Sequence, residues 1–579
     1  MAQFYTAKVA EFGGVDGFFA QNAGRLSRTI RAPIILLPPD PNLPDPKGLR
    51  PMRVRDFHTG RSAVYADGGV AATAHPLATL TAIDVLRSGG NAVDASLAAI
   101  AMLCVIEPHA TGIGGDCFVL YAPKAGMPIG MNASGRAPKA ATYDWYKSQG
   151  IDAIRMQSPH AVTVPGAIDG WCKLHADHGS KDLAELLAPA INAAENGYRV
   201  SPRTGNDWGK LTAKMSKDPD AAKRFLPGGK PPAIGDLHKQ PELAETLKKI
   251  AKGGRDAFYK GDVAKDMVEK LRSLGGLHTM EDFEESRADY VTPISTNYRG
   301  YDVHEIPPNG QGITALIMLN VLAGYDYGST KFSQADRIHL MAEAAKFAYR
   351  LRNTHVADMT MADVPVDRLL SSQEAGSIRS QIRLDSVQPW VASDFLEHKD
   401  TTYLCVVDKD RNACSFINSL FAAFGSGILA PKSGVMLQNR GQGFRVIEGH
   451  PNCIGPRKRP MHTIIPGMLT KNGKAVMPFG VMGGHYQPTG HSTLVSNMID
   501  FDMDPQDALA APRIWAYEGE LRLEPAIPES VAEDLKRRGH KVVRTETPPG
   551  GGQAIWIDHD RGVLVGGSEP RKDGCALGY

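Results

Sequence analysis

The residues of this 579-residue chain that could do chemistry fall in three short stretches. Asp400-Thr401-Thr402 stands at the head of an apolar run that ends at Val407. A threonine hydroxyl can attack a carbonyl carbon, but only where a neighbouring group takes its proton. On propensity alone this is an ordinary strand start. Gly483-Gly484 follows a second apolar run. Glycines let backbone N–H groups approach a developing oxyanion closely, and they also make plain turns. Thr111-Gly112-Ile113-Gly114-Gly115-Asp116 is a glycine cluster of the kind that can cradle phosphate. Its order is wrong for that use: a dinucleotide loop follows a strand and opens a helix, whereas this cluster follows a helical stretch and opens the strand-like Cys117 to Tyr121. A tight structural turn is expected. Metal chemistry finds no motif, since the seven cysteines are scattered without CxxC or Cys/His zinc spacing and HExxH is absent. No cofactor is expected.

Composition narrows the class. Hydrophobic content of 42% and charged content of 22% are globular values. With 65 Lys+Arg against 63 Asp+Glu there is no charge excess to attract nucleic acid. Few, odd-numbered cysteines suit reduced thiols in a cytoplasmic protein. The N-terminus lacks a basic segment followed by an apolar one, so no secretory signal is expected. The longest apolar stretch, Ala95 to Ile106, runs about a dozen residues, where a bilayer span needs about 20; no membrane partner is expected.

The elements that must position these residues can be read from pattern. Residues 1–70 form an extension whose prolines between Pro33 and Pro46 oppose helix. Pro76 opens a helix to Arg87, Ser88-Gly89-Gly90-Asn91 stops and restarts it, and a second helix from Ala92 is apolar almost all round, as buried helices are. Residues 180–290 are helix-rich, with one helix from Leu183 closed by Asn196-Gly197 and another from Glu242 closed by Gly253-Gly254. A strand at Tyr301 to Ile306 leads into the Pro307 to Gly312 turn, and a long helix starts at Gln334. Residues 353–400 read as a loop-rich connector. After 400 the pattern turns β: a hairpin folds around Asp408 to Asn412, strands lie near 432–437 and 474–480, helices near 491–500 and 505–511, and a last strand pair near 553–566.

His398 to Asp410, ending in Phe424-Gly425-Ser426-Gly427-Ile428, resembles the small-subunit start of the γ-glutamyltransferase family, proenzymes of the N-terminal-nucleophile hydrolase class. The resemblance runs over roughly 68–579. It takes in Ser88 to Ala95, the Thr111 to Asp116 turn, Val164-Pro165-Gly166, Pro307 to Gly312, Gly455 to Pro460, Met482-Gly483-Gly484 and Ser568 to Gly574. It implies a four-layer αββα sandwich, here with the additional helical region, and cleavage between Asp400 and Thr401 into a large subunit (71–400 after the extension) and a small one (401–579). The two pieces then form a heterodimer, with a dimer of heterodimers a further expectation. It further implies that the freed Thr401 is the nucleophile, that its α-amine, of pKa about 7.7–8.0, is the general base, that Gly483 and Gly484 hold the oxyanion, and that Ser419 supports the nucleophile.

The family's grip on a γ-glutamyl group is not inherited. Its arginine falls at Ser134, its asparagine at Phe421, its aspartate at Gly443, and its Ser-Ser pair at His462-Thr463. The patterns Ser134-Gly135-Arg136-Ala137-Pro138 and Met482 to Pro488 are similar to those of the branch containing oxamate amidohydrolase. An amidohydrolase of a small carboxylate-bearing acyl amide is therefore expected. Arg136 and Arg440 are candidate carboxylate anchors, because guanidinium pairs with carboxylate in two-pronged geometry, and either could instead be a structural ion pair. His462, Thr463 and His485 are candidate contacts to the acyl group. The rival readings are a γ-glutamyl hydrolase or transpeptidase with rearranged contacts, and an uncleaved, non-catalytic binding homologue.

Overall fold

The computed structural model describes residues 60–390 and 401–579. Two seven-stranded antiparallel sheets form its centre. One runs, edge to edge, through Cys575–Gly578, Gly69–Thr73, Thr402–Asp408, Ala413–Ser419, Asp116–Ala122, Ile129–Ala133 and Asp289–Val291. The other runs through Val64–Ala66, Val563–Ser568, Gly551–Asp558, Lys474–Met482, Gly467–Lys471, Tyr301–Glu305 and Ile294–Tyr298. The faces meet where Thr402–Asp408 and Ala413–Ser419 pack on Lys474–Met482. Tyr403 fits there because Gly480 has no side chain: a Cβ would stand 2.4 Å from the ring. Its hydroxyl lies 2.7 Å from Ser415 Oγ, which donates to the Phe479 carbonyl at 3.1 Å, so polar atoms between the sheets are satisfied.

Helices cover both outer faces, giving the four-layer αββα sandwich. On the first sheet lies Ala92–Ile106, every residue of it buried, with Leu183–Asn196 and Pro241–Tyr259 outside. Its start is fixed by a capping box: Asn91 Oδ1 accepts from Asp94 N at 3.0 Å, and Asp94 Oδ2 accepts from Asn91 N at 2.9 Å. Asp408 at the end of its strand accepts from Ala92 N at 2.9 Å, tying that cap to the hairpin. On the second sheet lie Gly312–Leu322 and Gln487–Ile499, with Gln334–His355 packed on Gly312–Leu322.

Local differences from the sequence reading have physical causes. The Gly253-Gly254 pair closes the helix that begins at Pro241, as expected: Gly254 takes the non-helical φ 57°, and a separate short helical stretch then runs on to Tyr259. The expected connector at 353–400 contains two short helices, Val366–Leu369 and Ser372–Gln381. The second is announced by Ser371, whose hydroxyl caps Glu374 N at 3.1 Å. Among the described residues the first strand is Val64–Ala66, and the expected boundary at 70/71 falls inside the next, Gly69–Thr73. Among the described residues no helix is long and apolar enough to cross a membrane.

Candidate active site

The hairpin's register places the nucleophile. Thr402 pairs with Asn418, which sets Thr401 opposite Ser419 one step further along. Thr401 Oγ1 lies 3.2 Å from Ser419 Oγ, and both residues are buried. Ser419 Oγ also accepts from Phe421 N at 2.8 Å, which fixes its position beside Thr401 Oγ1. Asp400, the other side of the expected cleavage bond, lies outside the described residues. Next to Thr401, the Thr402 hydroxyl donates to Glu107 Oε2 at 2.6 Å. Burial pushes the Glu107 carboxyl up to about 7, against the pull of Thr402 and Lys572.

From Ser419 an unbroken path of contacts reaches the glycine pair. Phe421 holds φ 79°, a conformation costly for a bulky residue and persistent only where packing imposes it. Its ring lies 4.5 Å from the Arg440 guanidinium. Arg440 Nη1 donates to Thr463 Oγ1 at 2.8 Å. The Thr463 carbonyl and the Gly484 carbonyl both accept from Gln311 Nε2, at 2.7 and 3.0 Å. Gly483 and Gly484 link the strand Lys474–Met482 to the helix Gln487–Ile499 and take φ 119° and 58°. A Cβ on Gly483 would stand 2.7 Å from Gly550 Cα. Met482, just before the pair, lines a cavity of about 20 Å³ together with Thr401.

Arg440 is fully buried, and its Nε and Nη2 have no hydrogen-bond partner among the described residues. Burial lowers its pKa to about 9, with Asp116 opposing. Asp116 is itself saturated. Its Oδ1 accepts from Gly135 N, Gly166 N and Gln438 Nε2 at 2.9, 3.0 and 2.9 Å, and its Oδ2 lies 3.1 Å from His462 Nε2. Burial raises its carboxyl to about 6, and Arg440 is the strongest influence holding it down. The Thr111 to Asp116 glycine cluster is a packing turn: a Cβ on Gly115 would stand 2.3 Å from the Ser419 carbonyl oxygen.

Two expected contacts are not brought to this group. Arg136 pairs with Asp289 at 3.3 Å and Asp358 at 3.6 Å and lines a separate cavity of about 340 Å³ with Val164 and Arg457. The His485 ring stacks on Tyr517 and its Nδ1 lies 3.0 Å from Arg352 Nη1, behind Gln311. Away from the site, His339, Glu343 and His540 bring three ligand atoms within 4.8 Å of one another. Lys346 Nζ sits 2.6 Å from Glu343 and opposes a cation there.

The sequence profile described as gamma-glutamyltranspeptidase matches residues 78–579. The chain belongs to that family. Its members are amide hydrolases and acyl transferases of the N-terminal-nucleophile class, and this chain is an enzyme of that kind. The chain is 38% identical to the glutathione hydrolase-like YwrD proenzyme of Bacillus subtilis (strain 168), over 87% of this chain and 97% of the relative. It is 32% identical to the oxamate amidohydrolase proenzyme of Klebsiella pneumoniae subsp. pneumoniae, over 88% and 98%. It superimposes on the crystal structure of cephalosporin acylase from Bacillus halodurans with TM-score 0.86 and 38% identity, over 92% of this chain and 99% of that one. These names span three acyl groups, so the oxamate branch is not singled out.

Within the gamma-glutamyltranspeptidase family the departures noted in the sequence acquire geometry. Ser134 is buried and donates to Asn132 Oδ1 at 2.8 Å. A Cβ on Gly443 would stand 2.9 Å from the Met461 carbonyl oxygen, too close for an aspartate without backbone movement. Sequence reasoning missed Glu107, Asp116 and Gln311 as parts of the site. Asp116 and Gln311 lie inside motifs that carry the resemblance, and that placement was the available signal. Glu107 carries none.

Proposed function

We propose that this chain matures by breaking the Asp400–Thr401 bond into two associated fragments, and that the freed Thr401 hydrolyses or transfers a small acyl amide whose acyl group carries a carboxylate. The Thr401 hydroxyl attacks the amide carbon while its own α-amine takes the proton. Ser419 steadies the hydroxyl from 3.2 Å. Gly483 and Gly484 donate backbone N–H groups to the oxyanion. The amine leaves with the proton, and water or a second amine resolves the Thr401 ester.

The observation that carries the acyl assignment is Arg440: buried, cationic, and with two N–H directions unpartnered among the described residues. A buried guanidinium held this way is stabilised by an incoming carboxylate. Asp116, the carboxylate facing it, is occupied by three N–H donors and His462 and has little left for a substrate ammonium. This favours a plain dicarboxylic monoamide over a γ-glutamyl group.

A panel of oxamate, glutaryl amides and γ-glutamyl-4-nitroanilide tests the reading on purified, cleaved protein. Turnover concentrated on the ammonium-free acids is expected. Brisk γ-glutamyl turnover, with the others inert, overturns it.

A further inference from the structure

The strand Lys474–Met482, which leads into the glycine pair, is held unequally on its two flanks. Toward Gly551–Asp558 the pairing runs to the strand's end, with Met482 opposite Gly551. Toward Gly467–Lys471 it stops at Phe479, opposite Gly467. Val481, two residues short of Gly483, turns its N–H to a side chain: it donates to His491 Nε2 at 3.2 Å. His491 lies on the helix Gln487–Ile499. Gly490 before it lets that helix close on the strand, since a Cβ there would stand 2.6 Å from Val481 Cγ1. The His491 ring is buried and tilted against the Phe479 ring at 4.8 Å.

A backbone N–H can only donate, so His491 Nε2 must be the ring's lone pair and the ring hydrogen must sit on Nδ1. Nδ1 lies 2.7 Å from Glu305 Oε1, at the end of the strand Tyr301–Glu305. Glu305 accepts that hydrogen and so holds the ring in the one tautomer that can take Val481 N–H. A doubly protonated ring has no lone pair to offer. Glu305 is fully buried, and its Oε2 has no hydrogen-bond partner among the described residues. Neither Glu305 nor His491 lines the cavity at Thr401; what joins them to the site is the backbone from Val481 to Gly483. The far side of the glycine loop is held separately: Gln311 Nε2 donates to the Gly484 carbonyl at 3.0 Å, and the Tyr349 hydroxyl donates to the His485 carbonyl.

We propose that Glu305 and His491 are positioning residues for the oxyanion loop: His491 Nε2 anchors Val481, and through it the N–H groups of Gly483 and Gly484, while Glu305 keeps the ring in the tautomer that the anchor requires. This role rests on those glycines being the oxyanion donors. Such donors work only when they are fixed in advance where charge will develop, and an ångström of drift can cost about 10²-fold in rate. The pair acts on backbone that every substrate meets. Its loss should therefore fall on kcat and spare both KM and the choice of acyl group.

The test compares variants of the cleaved protein on a glutaryl amide and on an uncharged acyl amide, each assayed well below its unfolding midpoint. His491→Phe keeps the bulk of the ring and removes the acceptor; Glu305→Leu removes the group that sets the tautomer. Each is expected to lower kcat by about 10–10²-fold on both substrates alike, with KM little changed. His491→Gln, whose Oε1 can accept from Val481 without help, should keep most of kcat. In that background Glu305→Leu should cost nothing further. Equal losses from Glu305→Leu beside histidine and beside glutamine overturn the proposal, because Glu305 would then be acting on the fold. So does a His491→Phe enzyme with undiminished kcat; should that variant not fold, the comparison of Glu305→Leu in the two backgrounds decides alone. Gly483→Ala tells two failures apart. If it too leaves kcat untouched, the glycine pair is not the oxyanion donor, whereas a slow Gly483→Ala enzyme beside a fast His491→Phe one refutes the positioning role alone.

Discussion

Replacing Arg440 by methionine separates what its guanidinium does for substrate from what it does to the fold. Burial draws its pKa down from the ordinary guanidinium range to about 9. A base depressed in the folded state carries its cost at every pH below the folded value, and the cost fades only as pH rises above 9 toward the ordinary guanidinium value. At neutral pH it is therefore present in full, at about 5 kcal/mol. Part is returned when the charge goes, because Asp116 loses the strongest influence keeping it ionised. Once protonated, Asp116 still offers Oδ1 to Gly135, Gly166 and Gln438. Methionine packs adaptably against the Phe421 ring. The net expectation, by analogy with buried ions exchanged for apolar side chains, is a gain of about 1–4 kcal/mol. Denaturant unfolding in an uncleaved Thr401→Ala background reads it on one continuous chain. Catalysis should move the other way. Two N–H directions, each supplying about 1.5–3 kcal/mol to a carboxylate, predict a loss of roughly 10²–10⁴ in kcat/KM on glutaryl amides and a much smaller loss on an uncharged acyl amide of equal length. A variant that is less stable than its parent and falls equally on both substrates would refute the argument, leaving Arg440 a structural ion.

Three further outcomes follow from the same geometry. Gly483→Ala places a Cβ 2.7 Å from Gly550 Cα at φ 119°, so the loop must shift; kcat should drop by about 10²–10³ as one oxyanion donor is misplaced, with KM little changed. Ser419→Ala should slow cleavage of the chain and turnover together, read by gel densitometry and by steady-state assay, since one hydroxyl faces Thr401 in both reactions. Glu107 has a folded pKa raised from 4.5 to about 7, so its contribution to stability is whole below pH 4.5 and is lost as pH rises through 7. Glu107→Gln in the Thr401→Ala background should remove about 3 kcal/mol of that decline, measured by unfolding at pH 5 and pH 8.

The strands and helices around Thr401 were legible because each is written locally. Asn91 and Asp94 spell their capping box, and the alternation after Thr402 with the polar Asp408 to Asn412 turn fixes the hairpin. Once that hairpin is known, Ser419 opposite Thr401 follows from the register. The Arg440 site was half legible: the arginine stood out, but its partners Asp116, Thr463 and Phe421 come from three separate segments, and no period or spacing joins them. Arg136 and Arg440 are both candidate anchors in one dimension, and only the fold distinguishes a guanidinium paired with Asp289 and Asp358 from one with unpartnered edges. Glu305 and His491 lie 186 positions apart and meet in one hydrogen bond, a juxtaposition that tertiary structure alone reveals.

The account depends most directly on which residue begins the small fragment. N-terminal sequencing of purified, active protein should return Thr401-Thr402-Tyr403 from a 179-residue fragment, with Thr401→Ala giving one uncleaved, inactive chain. An active protein continuous through residue 401, or a small fragment starting elsewhere, contradicts it.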